Sequence, residues 1–298
     1  MSTKSRQLDT FGLASLCLFS IISGYNQVVM KVVNDGLQPV FCAGIRSLLA
    51  AVLVFVWLYC TKKPIKIEKA LLPSAIFYGV IFGLEFMFLF IALDLTSVIR
   101  VTIIFYTMPV WLALMNHFFL PNDKLTYFKT SGLAIAIIGL IISVTSSKSS
   151  PENDTSLLGD LFALGGAAGW ALFAFYSKNS KLSSKPADTL IFYAFAISAP
   201  MLIIFSIFFG PFIREIEPKH LLGFSFQVLY ASAGFGFWVW LFKRYSGTTV
   251  ASFSFLTPVL GIFFGWLLLS EELSFQLFIA GFLVTLGIYL VTRSEKSS

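Results

Sequence analysis

The chain has 298 residues, of which 57% are hydrophobic and 12% charged, with a formal net charge of +6 at pH 7. A water-soluble domain is excluded, since in such domains about half the residues are apolar and about a quarter charged. A nucleic-acid-binding reading of the positive charge is excluded too, because the basic residues are dealt out between apolar blocks and are not clustered in one region.

Taken in chain order, ten apolar blocks appear at 11–33, 37–60, 70–93, 97–119, 125–146, 157–179, 186–210, 218–241, 248–270 and 272–293. Each is about 20 residues or longer, the length at which a helix rising about 1.5 Å per residue crosses a hydrocarbon core of about 30 Å. Unbroken runs such as LAIAIIGLIISV at 133–144 lack the alternation of a membrane β-barrel strand. The expected class is therefore an all-α integral membrane protein with ten spans. Lys4 and Arg6 precede the first block as they would a signal peptide. That block is longer than a secretory apolar region and a second follows at once, so it reads as a retained span.

Basic residues set the orientation, because Lys and Arg near span ends stay on the cytoplasmic side. The N-terminus, the connections after spans 2, 4, 6 and 8, and the C-terminus carry 15 of them. The connections after spans 1, 3, 5, 7 and 9 carry 5, and Arg46 lies within a span. The threefold bias places both termini in the cytoplasm. Cys17, Cys42 and Cys60 all fall inside spans, with neither metal spacing nor a paired framework.

The two halves of the chain repeat. YTMPVWLALMNHFFLPND at 106–123 aligns with FLTPVLGIFFGWLLLSEE at 255–272. That offset pairs Pro109 with Pro258, Ser97 with Ser246, Val101 with Val250 and Gly132 with Gly281. A slightly shorter one pairs Lys31 with Lys178 and Pro39 with Pro186. Five spans per unit is an odd number, so the second unit enters from the opposite face and the repeats are inverted. The expected organisation is a first unit over 1–146, a polar linker over 147–156 and a second unit over 157–298.

These residues resemble the drug/metabolite transporter superfamily, and within it the EamA-type members with ten helices in two five-helix repeats. GYNQVVMK at 24–31 is similar to that family's Gly-x-Asn-x-x-x-x-Lys at the end of the first helix, and Pro39 and Arg46 follow it. ALDLTSVIRVTIIFYTMPV at 92–110 resembles its helix 3–4 corner, and LTPVLGIFFGWLLLSEELS at 256–274 its helix 9–10 corner with the acidic turn. The first unit departs from the pattern, carrying Asn122-Asp123 where the family usually has Gly-Glu. The resemblance implies that spans 1–4 and 6–9 surround a central cavity, with spans 5 and 10 as outer supports, and that one four-helix bundle rocks against the other.

The polar residues fall into depth layers. At about 1.5 Å per residue, Asn26, Arg46, Glu85, Tyr106 and Gln227 all lie about 10 to 13 Å below the outer face. A charge left facing lipid costs about 2.5–3.5 kcal/mol, so these groups are expected to face the protein interior or a watery cavity. Arg46 and Glu85 fit either a structural ion pair between spans 2 and 3 or direct contact with substrate. Lys31 is close enough to the surface to snorkel. His117 reads as a polar end-residue, and His220, placed in a loop, is given no role. By repeat offset Arg46 corresponds to Tyr193 and Tyr106 to Phe255, while Trp170 and Trp238 lie nearer the cytoplasm. An aromatic layer beneath a charged one, with Tyr230 on span 8 completing the set, suits a small amphiphile with a polar head and an apolar body.

Pro109 and Pro258 remove helix hydrogen bonds at matching positions and are the expected hinges. GVIFG at 79–83, GGAAG at 165–169 and GIFFG at 261–265 have the small-xxx-small spacing that lets helices approach closely. An enzyme would need a Ser–His pair, two deep aspartates or a metal set, and no cofactor is implied. A P-loop is absent, so the driving force would be a substrate gradient or an ion, and an Arg46–Glu85 pair would offer a proton site. The expected function is secondary transport of a small amphiphilic metabolite, an amino acid or related compound, with export first. Uptake or exchange of a nucleotide-like or adenosyl metabolite is the alternative, and a membrane scaffold or receptor the non-transport one. The expected location is a bacterial cytoplasmic membrane.

Overall fold

A computed structural model describes residues 9–121, 125–145, 157–245 and 256–294. The expected linker 147–156 lies outside the described residues, as do Asn122, Asp123, Ser246, Val250 and Phe255. The regular structure of the described residues is helical, and the nearest thing to a sheet among them is one isolated bridge, Leu37 to Ile213. In chain order the helices are α1 (Thr10–Gly36), α2 (Pro39–Cys60), α3 (Leu72–Leu95), α4 (Val98–Phe105), α5 (Met108–Phe119) and α6 (Tyr127–Thr145). There follow α7 (Leu157–Asn179), α8 (Ala187–Ser206), α9 (Pro218–Leu229), α10 (Phe235–Arg244), α11 (Leu256–Leu269) and α12 (Phe275–Ser294).

Among the described residues, six stretches are long and apolar enough to cross a membrane: 10–36, 39–60, 69–95, 98–119, 157–179 and 187–209. Shorter apolar helices cover 129–145, 256–269 and 275–290. Two of the expected spans are interrupted. The span expected over 97–119 breaks at Tyr106-Thr107 between α4 and α5, where the Thr107 hydroxyl donates to the Ile104 carbonyl at 2.7 Å. Pro109, which has no N–H to give, stands in the first turn of α5, where none is needed. The span expected over 218–241 carries a π-helical turn, Tyr230–Gly234, between α9 and α10. Pro258 lies in the first turn of the described part of α11.

The interior holds apolar clusters as a soluble protein's does, but the exterior is apolar too. Large apolar side chains stand exposed along whole helices, among them Val52, Phe55 and Val56 of α2, Ile137, Ile138 and Ile141 of α6, and Phe263, Trp266 and Leu267 of α11. Polar side chains are inside, which is how a helix bundle sits in lipid.

The sequence halves interleave. α3 packs on α7 and α8, while α1 packs on α9 and α11. α2 pairs with α8, and α6 pairs with α12 on the side of α4 and α5. The three small-xxx-small motifs sit at these contacts. Gly79 meets Ile197 and Gly83 meets Ser198, on α8. Gly165, Gly166 and Gly169 of α7 meet Phe88, Phe105 and Glu85. Gly261 and Gly265 of α11 meet Thr102 and Ile99 of α4.

Helix ends are closed by charged side chains from distant segments. The Lys31 ammonium donates to the carbonyls of Leu93 (3.0 Å) and Thr96 (2.7 Å), so it caps α3 and does not snorkel. The Glu271 carboxylate accepts from the Val98 (2.7 Å) and Ile99 (2.9 Å) N–H groups at the start of α4. Burial pushes the Glu271 carboxyl up from its ordinary value, and those two N–H groups and the Lys31 ammonium pull it back. His220 belongs to the first turn of α9 and not to a loop; its Nδ1 accepts from the Glu217 N–H at 3.0 Å in a capping box, and the residue is buried against Gly36. His117 accepts from the Leu125 N–H at 3.2 Å, which closes the turn after α5.

Candidate functional site

Arg46 lies two turns into α2 and is one of the largest fully buried side chains of the molecule. Its guanidinium rests over the rings of Phe86 (4.1 Å) and Phe90 (4.8 Å), which stand one turn apart on α3. Stacking on aromatic faces stabilises a guanidinium in a dry site by about 2 kcal/mol or more. It does not satisfy the donors: Nε and Nη2 have no hydrogen-bond partner. Glu85, the residue before Phe86, is buried and lies within the electrostatic reach of Arg46, yet among the described residues no ion pair joins them. The structural pair that the sequence allows between spans 2 and 3 is not formed. Glu85 instead has its Cβ and Cα directly beneath Gly169 of α7.

Around this centre stand the other members of the layer. Tyr230, at the π-helical turn, is in the electrostatic neighbourhood of both Arg46 and Tyr106. Its hydroxyl donates to Ser23 Oγ at 2.8 Å, and its ring stacks on Phe226 (6.2 Å) and Phe19 (6.4 Å). The Thr102 hydroxyl donates to Gln27 Oε1 at 2.7 Å, Gly261 packs on Thr102, and Tyr106 lies in the electrostatic neighbourhood of Gln27 and Thr257. α1, α4 and α11 thereby meet beside the break before α5. Asn26 and Gln227 are buried with one oxygen each unpartnered; their amides reach Met30 Sδ (3.3 Å) and the Val29 carbonyl (3.4 Å).

Two members lie elsewhere. The Tyr193 hydroxyl accepts from the Ile67 N–H at 3.3 Å, in the connection between α2 and α3, so it belongs to a different layer from its repeat counterpart Arg46. Trp170 is half-buried at the edge of the main core. The side chain of Trp238 lies outside the described residues. Sequence reasoning missed Gln27, Ser23, Phe86 and Phe90. The spacing of Phe86 and Phe90 on one face beside a deep Glu was a signal, but it is hard to weigh in a chain with 34 Phe.

No group of three or more His, Cys, Asp or Glu able to hold a metal ion occurs among the described residues. An apolar-surfaced helical bundle with an incompletely hydrogen-bonded guanidinium buried inside it has the form of a polytopic membrane protein with a polar site among its helices. Comparison with known proteins narrows the class. The model of the EamA-like transporter family matches residues 10–145 and again 157–293. The chain belongs to the EamA-like transporter family, and its environment is a membrane.

Among its relatives is the uncharacterized transporter YoaV of Bacillus subtilis, 28% identical over 92% of this chain and 94% of that protein. Proteins described as probable amino-acid metabolite efflux pumps of Escherichia coli and Salmonella typhimurium are 26% and 27% identical, each over 92% of both chains. A solved structure described only as a crystal structure of a protein aligns with a TM-score of 0.63 at 18% identity, over 95% of this chain and 96% of that one. That likeness concerns the fold alone.

Proposed function

We propose that this protein is a secondary transporter that exports a small amphiphilic metabolite, an amino acid or related compound, across a bacterial cytoplasmic membrane by alternating access. The observation that carries the reading is Arg46: a guanidinium buried at mid-depth with Nε and Nη2 unpartnered between two phenylalanine rings. A buried unsatisfied donor costs about 1–3 kcal/mol, and more when charged, unless an acceptor arrives. A carboxylate or phosphate on a solute is such an acceptor, and the rings of Phe19, Phe226 and Tyr230 offer a surface for the apolar part. Asn26, Glu85, Tyr106 and Gln227 complete the binding layer. The relatives described as amino-acid metabolite efflux pumps favour both the solute class and the direction.

The proposed topology has ten spans in two inverted five-helix units, 1–146 and 157–298, with both termini cytoplasmic. The packing supports it, because contacts come in pairs that exchange under the repeat: α3 on α7 answers α9 on α1, and α4 on α7 answers α11 on α1. The connections do the same. Residues 61–68 dock on the α7–α8 corner through Lys63–Asp188, Lys185–Glu68 and Thr189 to the Pro64 carbonyl. Residues 210–217 dock on the α1–α2 corner through the Leu37–Ile213 bridge and the stacked rings of Phe41 and Phe212. Pro109 and Pro258 are the proposed hinges, and protons the proposed coupling ion.

The test is uptake of labelled amino acids and nucleotide-like metabolites into proteoliposomes, with and without a pH gradient. Saturable uptake of an amino acid, abolished in Arg46→Ala at unchanged thermal stability, is the expected result. Uptake that Arg46→Ala leaves intact removes Arg46 from the solute path, and uptake of nucleotide-like compounds alone replaces the solute class.

A further inference from the structure

We infer that Glu85 is a second, specificity-determining half of the Arg46 site, and that the two together read a zwitterionic head group: carboxylate to Arg46, ammonium to Glu85. The inference rests on the transport reading above and adds to it the charge state of the solute. Two opposite charges buried within each other's field in low dielectric would ordinarily close into a direct pair. Here they do not. Arg46 is turned onto the faces of Phe86 and Phe90, its Nε and Nη2 unpartnered, while Glu85 is held under Gly169 on the α7 side of α3.

The two anchors hold the charges apart. The guanidinium is fixed by rings on α3, and the carboxylate stem is fixed by a helix approach so close that a Cβ on Gly169 would lie 3.2 Å from the Glu85 Cβ and 3.3 Å from its Cα. A solute carrying a single negative charge would satisfy Arg46 and leave Glu85 buried with no cation to meet, so that it must take up a proton. A solute carrying a single positive charge would satisfy Glu85 and leave Arg46 with no anion to meet. A head group with both charges on one carbon neutralises the site in one step, and the net charge moved is zero. The Tyr230 hydroxyl donates its proton to Ser23 Oγ, and a neutral phenol oxygen brings no negative charge to meet a solute ammonium, so it does not replace Glu85.

The experiment is thermal unfolding of the purified full-length protein in detergent against three panels: the L-amino acids with uncharged side chains, their N-acetyl derivatives, and the corresponding decarboxylated amines. Zwitterions should stabilise the wild type saturably, and both single-charge panels should fail. Glu85→Gln should weaken the zwitterion at least about 25-fold, as removal of one member of a desolvated charge pair does, and should gain affinity for the N-acetyl anion. Equal stabilisation of the wild type by an amino acid and its N-acetyl derivative overturns the role of Glu85 and leaves the Arg46 reading standing. No shift with any amino acid overturns the inference, and the uptake experiment then judges the transport reading on its own. Should Glu85→Gln fail to fold, the N-acetyl comparison on the wild type decides alone.

Discussion

Arg100 and Arg46 are both buried arginines, and the difference between them separates structure from function at the scale of a residue. Arg100, on α4, makes a bidentate pair with Asp160 of α7, with Nε to Oδ1 at 3.2 Å and Nη2 to Oδ2, and its Nη1 donates to the Ser143 carbonyl of α6 at 2.7 Å. Its charge is fully met by protein. Such a pair adds little over an apolar substitute, but removing one partner strands the other and costs about 3–5 kcal/mol. Arg100→Leu and Asp160→Asn are therefore each expected to lower the unfolding temperature sharply. The double variant Arg100→Leu/Asp160→Leu should recover much of the loss, and any solute-dependent stabilisation in it should match the wild type. Recovery in neither stability nor solute response would place Arg100 in the solute path after all. At Arg46 the neutral variant should hurt solute response more than stability, the reverse pattern.

At the scale of helices, close approach is set by small residues, and the sharpest approach to another helix's backbone lies away from the site. A Cβ on Gly287 of α12 would come 2.5 Å from the Gly132 carbonyl oxygen and 2.7 Å from the Ala136 nitrogen of α6, both backbone atoms that cannot step aside. Gly287→Ala should cost about 1–3 kcal/mol of stability through separation of this outer pair, with the KM for uptake unchanged. Gly236→Ala on α10, with nothing within 4 Å of the added methyl, is the control and should be neutral or slightly stabilising. A Gly287→Ala protein of wild-type stability would show that the α6–α12 contact is loose. Much at this scale is legible in the sequence, because lipid as solvent imposes length and apolarity on a span and makes a deep Arg or Glu conspicuous. Proline and glycine spacing likewise marks the break before α5 and the close helix contacts. What stays hidden depends on rotamers and long-range meetings: that Arg46 turns to rings and away from Glu85, that Arg100 finds Asp160 sixty residues on, and that α9 is interrupted by a π-helical turn with no composition of its own.

For the whole molecule, the two docked connections act on the proposed topology as opposed latches. On the outer face Arg214 forms a bidentate pair with Asp94 (2.6 and 2.9 Å) and donates to the Asn34 carbonyl at 2.9 Å, tying the α8–α9 connection to the ends of α1 and α3. The bond to Asp94 and its charge raise the Arg214 pKa further, so the latch is fully charged over the physiological range. On the inner face Lys63 with Asp188 and Lys185 with Glu68 tie the α2–α3 connection to the start of α8. Partly exposed pairs of this kind contribute about 0.2–1 kcal/mol each, enough to shift an inward–outward equilibrium by about 1.4- to fivefold but not to unfold the protein. The readout is the alkylation rate of Ser23→Cys by a membrane-impermeant maleimide in right-side-out vesicles, in a background with Cys17, Cys42 and Cys60 replaced by alanine. Ser23 suits the purpose because its Oγ is hydrogen-bonded to Tyr230 in the binding layer. Arg214→Gln should raise that rate about 1.4- to fivefold, and Lys63→Gln should lower it. Unchanged rates in both variants would reduce the two connections to packing, whereas a change of the same sign in both would contradict the inverted arrangement, since two latches on one face cannot oppose each other.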